Sequence, residues 1–247
     1  METNNSRQAA WVAMGSLFSF GFSIVSSMIL SRYFDKADYG TYKQVMYVYN
    51  TLLTVFTLGL PKAYSYFLPR VNPQEAKDLI NKITRLFFLL GGVFSILLFL
   101  GASLIAQFLK NPDLEIALRY FSLVPFLMLP TMGLEGILST YKKTKFLAGY
   151  TITTRLFMLC CVALPVMIFN LDYIGAIIGF VIASIFSAFL ALYLKVYPVR
   201  NNIKNRTQTS YKEIFQFSLP LMYASLWGVL MSSADQFFIS RFFGLEV

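Results

Sequence analysis

The sequence predicts an all-α polytopic membrane protein: a six-helix lobe followed by the first helix of a second, repeated lobe. Three observations carry this. Only 13% of the 247 residues are charged and 57% are hydrophobic, with a mean hydropathy of +0.61, whereas a soluble domain carries about 25% charged residues. The charges are also clustered, leaving uncharged runs at 8–31, 44–61, 86–109, 120–134, 156–171, 173–194 and 214–234. A hydrocarbon core of about 30 Å takes about 20 helical residues; five of these runs meet or approach that length, and the other two spans must take in a charge. Third, "SRYFDKADYG" at 31–40 is echoed by "SRFFGLEV" at 240–247.

The expected spans lie near 8–32, 42–67, 82–109, 115–141, 146–170, 172–196 and 211–243. The first is longer than the apolar core of a removable signal peptide and leads straight into the second. The second contains "LGLP" at 58–61, and a turn-rich "LPRVNPQEAKD" at 68–78 separates it from the third. The fourth holds Pro125, Pro130 and Glu135; the fifth holds Arg155, the adjacent pair Cys160 and Cys161, and Pro165. The two cysteines read as small core residues. After the sixth comes "VYPVRNNIKNRTQTSYKEI", a polar linker, and then a seventh span with Pro220. Breakers inside a bilayer are tolerated where neighbouring helices, side chains or water satisfy the freed carbonyls. They fit a bundle around a cavity and a rigid bundle alike.

The net charge of +9 is explained by topology. With these spans, 14 of the 21 Lys and Arg residues fall on the N-terminal side, 6 on the other, and Arg155 lies inside. The richer side marks the cytoplasm, which puts the N-terminus inside and makes membrane lipids, not nucleic acid, the partner of the basic surplus. The absence of histidine removes His-based metal sites, nucleophile triads and imidazole relays. No GxxxxGK[ST] loop for nucleotide phosphates is present.

Shifting the chain by 209 residues pairs Ser31 with Ser240, Arg32 with Arg241, Tyr33 with Phe242 and Phe34 with Phe243, each copy at the end of an apolar helix. A six-helix unit followed by a helix that restarts in the same orientation is the plan of parallel-repeat transporters. The expected organisation is a first lobe over 1–197, a cytoplasmic linker over 198–210, and the first helix of a truncated second lobe over 211–247.

The stretches "LSRYFDKADYGTYK", "LGLPKAYSYFLPR" and "SLPLMYASLWGVLMSSADQFFISRFFG" resemble the polysaccharide flippase (Wzx-type) branch of the multidrug/oligosaccharidyl-lipid/polysaccharide (MOP) exporter superfamily, over essentially the whole chain. The resemblance implies the N-terminal half of a two-lobed transporter with a V-shaped cavity. Its cargo would be an undecaprenyl-diphosphate-linked oligosaccharide, moved by alternating access across the bacterial cytoplasmic membrane for surface polysaccharide such as O-antigen or lipopolysaccharide. It implies no enzymatic activity and no cofactor beyond proton or sodium coupling. Other polysaccharide-assembly proteins are the implied partners.

Such cargo needs cations along a polar path for its phosphates. Arg155, about 14 Å beyond Phe146 at 1.5 Å per residue, is the first candidate; the alternative is a structural arginine that snorkels or pairs with an acid. Glu135 is a partner for Arg155, a coupling group, or a packing ion pair. Lys62, beside Tyr64, Tyr66 and Phe67, is a phosphate contact or part of an interfacial belt. Asp235 is a boundary residue or an ion-coupling group. A multidrug or cation antiporter of the same superfamily would want deep acids instead. A membrane glycosyltransferase or polymerase would want large loops or metal-binding carboxylate pairs.

Overall fold

The computed structural model describes the backbone of residues 3–202 and 205–238, and side chains over 5–202 and 205–228. Its regular elements among the described residues are all helical. The elements are α1 (Thr3–Tyr33), α2 (Lys36–Phe56), α3 (Pro61–Phe67), α4 (Ala76–Phe108), α5 (Asp113–Phe121), α6 (Leu123–Met128), α7 (Leu134–Thr140), α8 (Thr144–Phe169), α9 (Tyr173–Val196) and α10 (Tyr211–Phe238). Five helical stretches among the described residues are long and apolar enough to cross a bilayer: Asn5–Tyr33, Ala76–Phe108, Asp113–Thr140, Thr144–Phe169 and Tyr173–Val199. Their outward faces are what a hydrocarbon solvent requires, with Leu17, Leu104 and Phe189 each more than 70% exposed. In water, such a continuous apolar surface would drive aggregation.

The second and fourth expected spans are each built from shorter helices. The second stops at Phe56 and restarts at Pro61, with Leu58 (φ +48°) and Gly59 (φ +68°) in the left-handed region between. Proline then opens α3 where its missing N–H costs nothing. In the fourth, a 3₁₀ turn over Leu129–Thr131 and a left-handed Gly133 (φ +77°) separate α6 from α7. Pro165 and Pro220 leave α8 and α10 continuous. A proline therefore breaks these helices only in company with a neighbouring turn. As for α2, it fails as an apolar span because its polar residues are used inside the protein. Asn111, 2% exposed between α4 and α5, donates to Thr41 Oγ1 at 3.0 Å and to Gln44 Oε1 at 2.8 Å.

One contiguous core runs from Leu30 and Val45 through Leu79, Phe87, Phe94, Ala117 and Phe121 to Ile177. It is laced with aromatic pairs, Phe56–Phe94 stacking at 4.4 Å and Tyr49–Phe121 meeting edge to face at 5.2 Å. Outside this core, α1 lies along α8.

The polar segment after α9 is bonded to the turn between α3 and α4 and to the start of α4. Asn205 donates its backbone N–H to the Gln74 carbonyl (3.1 Å), Asn202 Nδ2 reaches the Pro73 carbonyl (2.8 Å), and Lys82 Nζ donates to the Thr209 carbonyl (2.6 Å). The Asp78 and Glu75 carboxylates accept the backbone N–H groups of Thr207 and Gln208. The two basic segments assigned to one side of the membrane thus meet at one end of the molecule. From there α10 runs against α2 and α3, burying Ile214 and Ser218, with Phe217 stacked on Tyr66 at 4.1 Å. Residues 239–247, which carry the second copy of the repeated phrase, lie outside the described residues.

Candidate functional site

A cavity of about 460 Å³ opens between α1, α2 and α8, with the end of α6 and one face of α9 completing its wall. Helical periodicity explains its lining. Ser23, Ser26 and Ser27 form a polar stripe on α1, since residues three and four apart share a face. Lys43, Met46, Asn50 and Leu53 do the same on α2, as do Tyr150, Thr151, Thr154, Arg155 and Met158 on α8. Met128, Met132, Phe180 and Ser187 close the remaining side. Hydroxyls on the wall are held by their own helices: Thr154 Oγ1 donates to the Tyr150 carbonyl at 2.8 Å, and Ser187 Oγ to the Ala183 carbonyl at 2.8 Å. Their donors are spent, which leaves oxygens to accept.

The cavity is cationic. Arg155 and Lys43 line it, and among the described residues no carboxylate does. Arg155 lies eleven residues into the 26-residue α8, about 16 Å from its start at 1.5 Å per residue, so a hydrocarbon depth applies. Among the described residues it makes no ion pair; the one pair within 4.0 Å is Arg119–Glu115 at 2.7 Å. Glu135 therefore does not partner Arg155. It stands exposed in the first turn of α7, away from the cavity lining. Lys62 is exposed as well and does not line the cavity; its aromatic neighbours serve packing, Tyr64 inside the core and Tyr66 and Phe67 against Phe217. The Asp235 side chain lies outside the described residues. Of the four sequence candidates, the described structure brings Arg155 to the cavity and leaves Lys62 and Glu135 elsewhere.

Residues 6–247 match the sequence profile of the family described as "polysaccharide biosynthesis protein". The chain belongs to that family. No curated protein matches the sequence. Among solved structures, this family member is similar to a MOP superfamily transporter from Pyrococcus furiosus Vc1 (DSM3638), with a TM-score of 0.74 at 15% identity. The likeness covers 96% of this chain and 54% of that one, so the chain spans about half the length of that transporter and has the fold of that part of it.

Lys43 was missed in the sequence because it falls one residue before an uncharged run and reads as a flanking charge. A readable signal existed: Lys43 and Asn50 stand seven residues apart, two helical turns, on one face. Lys195 was likewise placed among the flanking cations. It is 1% exposed in the last turn of α9, with Nζ donating to the Tyr64 hydroxyl at 3.1 Å and to the Met132 carbonyl at 2.6 Å.

Proposed function

We propose that this family member forms the first lobe of an exporter that moves an undecaprenyl-diphosphate-linked oligosaccharide from the cytoplasmic to the outer leaflet, for surface polysaccharide assembly, by alternating access. The observation that carries the proposal is the charge of the cavity. Among the described residues two cations and no carboxylate face a polar, hydroxyl-lined space, Arg155 from the middle of a membrane-length helix. A charged Arg or Lys at the centre of a membrane helix costs about 2.5–3.5 kcal/mol on insertion scales. A diphosphate offsets that cost, because charge-assisted hydrogen bonds to Arg are short, strong and often bidentate. The serine, threonine and asparagine side chains would meet the sugar hydroxyls, and the open apolar flanks of α1 and α4 suit a polyprenyl tail left in lipid.

The polarity argues against a cation or multidrug antiporter, whose cargo such a cavity would repel. In the Pyrococcus furiosus transporter it is the reverse polarity of the binding pocket that suggests a different function. The working protein would set a second lobe against this one across the cavity. It would sit in the bacterial cytoplasmic membrane with its N-terminus inside, as the Lys and Arg excess on that side favours, and move cargo without catalysis. Coupling to protons or sodium is assigned to Asp235 or Glu135, and partnership with other polysaccharide-assembly proteins follows from the cargo.

The test replaces the exporter gene of a polysaccharide-producing strain with full-length variants, and measures surface polysaccharide against membrane protein level. Arg155→Ala is expected to abolish surface polysaccharide at normal protein level, with partial recovery in Arg155→Lys. Normal polysaccharide in a stably inserted Arg155→Ala strain overturns the proposal.

A further inference from the structure

We infer that Lys195 is a positioning residue for the cavity: its Nζ holds the Met132 carbonyl, and with it the bend that sets Met128 and Met132 into the cavity wall. Its effect on transport rests on the functional reading above; the positioning itself does not.

A lysine Nζ withdrawn from solvent is tolerated when its donors are hydrogen-bonded. Lys195 has such compensation from three directions. It donates to the Met132 carbonyl (2.6 Å) and the Tyr64 hydroxyl (3.1 Å), and it lies 4.6 Å and 5.4 Å from the ring centroids of Tyr64 and Phe87. The Tyr64 hydroxyl is paired in turn with Thr84 Oγ1 at 2.9 Å. The carbonyl at the centre belongs to the residue just before left-handed Gly133, where the helical path from α6 into α7 is interrupted. A Cβ on Gly133 would run into the Tyr64 ring, so the ring occupies space that glycine alone leaves open. Lysine, tyrosine and glycine thus fix one bend from α9, α3 and the bend itself. Met132, at the bend, and Met128, at the end of α6 before it, line the cavity, as does Ser187 two turns before Lys195 on α9.

The bend can be read by thiol labelling of the full chain in lipid nanodiscs, with Cys160→Ala and Cys161→Ala as background. A reporter Met132→Cys faces the cavity and a control Ser23→Cys lies across it. The probe is a sulfonatoethyl methanethiosulfonate. Lys195→Met keeps the length and loses the donors; labelling at 132 is expected to slow about tenfold, the scale of a lost hydrogen bond, while labelling at 23 holds. Lys195→Arg, which restores charge and donors, should recover most of the rate. Unchanged labelling at 132, or equal slowing at 23, overturns the inference. Where Lys195→Met does not insert, Tyr64→Phe decides: it keeps the ring and removes one acceptor, so slower labelling at 132 alone supports the role and an unchanged rate refutes it. No glycolipid enters this assay, so its outcome is separable from that of the Arg155 test.

Discussion

Gly59 and Ser218 meet backbone to backbone: a Cβ on Gly59 would collide with the Ser218 carbonyl oxygen and stand 3.1 Å from the Met222 nitrogen. Gly59 is also left-handed, at φ +68°. One residue therefore ends α2, turns the chain into α3, and lets α10 dock at the break. Gly59→Ala is expected to cost about 1–3 kcal/mol from backbone strain and to loosen α10, lowering the unfolding midpoint in detergent. An unaltered midpoint would mean that α10 does not depend on this contact.

A second glycine pair separates close packing from mere helix composition. A Cβ on Gly179 would strike the Cys161 carbonyl, forcing α9 away from α8, whereas nothing lies within 4 Å of one on Gly149. Gly179→Ala should destabilise, and Gly149→Ala should be neutral or gain about 0.5–1 kcal/mol, the usual helix-interior difference between the two residues. Thermal midpoints of the two variants, measured side by side, check the contrast.

Lys43 shares the cavity with Arg155 and both side chains are exposed; Lys43 stands seven residues beyond the start of α2, with its Nζ 5.1 Å from the Tyr39 ring centroid. At 1.5 Å per residue it lies about 10 Å from its helix start, nearer the higher-dielectric interface than Arg155, and a cation there contributes less. Lys43→Ala should therefore lower surface polysaccharide partially where Arg155→Ala abolishes it, and Lys43→Glu should be worse than Lys43→Ala. Equal output from the alanine and glutamate variants would remove cavity charge from the account.

What the sequence made legible follows from the period of its charges. Uncharged runs located the helices at 82–109, 146–170 and 172–196 within a few residues of α4, α8 and α9, because apolar length alone decides a lipid-facing helix. Arg155 stood out for the same reason, a lone charge deep in such a run. The cavity's other cation did not, since exposure at a helix face depends on which neighbours surround it. Lys195 was opaque for a similar reason: its partners Tyr64 and Met132 lie 131 and 63 residues away. Composition marked 198–210 as a polar linker but did not show that its polar groups pair with those of 73–82, more than a hundred residues away.

That pairing is testable. The Asp78 and Glu75 carboxylates accept the Thr207 and Gln208 amides at 3.1 Å and 3.3 Å, and the Asn205 side chain donates to Gln74 Oε1 at 2.7 Å. Asp78→Ala with Glu75→Ala leaves those amides without acceptors. Limited proteolysis within 205–210 should become faster, with little change in cleavage elsewhere. Cleavage that is already fast in the unaltered protein would show that the strap does not hold.

The far end of the molecule carries a pH dependence. Burial raises the Asp38 carboxyl above its ordinary value of 3.8, and the charges of Asp35, Asp172 and Asp113 push the same way against one hydrogen bond from the Tyr173 backbone. The folded state thus binds this proton more tightly than the unfolded chain does. The resulting stabilisation is complete below the ordinary aspartate value and is lost as pH rises through the raised one. At neutral pH the ionised group is a burden that Asp38→Asn should lift. The variant should melt higher than the unaltered protein at pH 7, and the gap should close on acidification as Asp38 takes up its proton. A gap that stays constant from pH 7 down to the ordinary carboxylate range would assign the gain to something other than this charge.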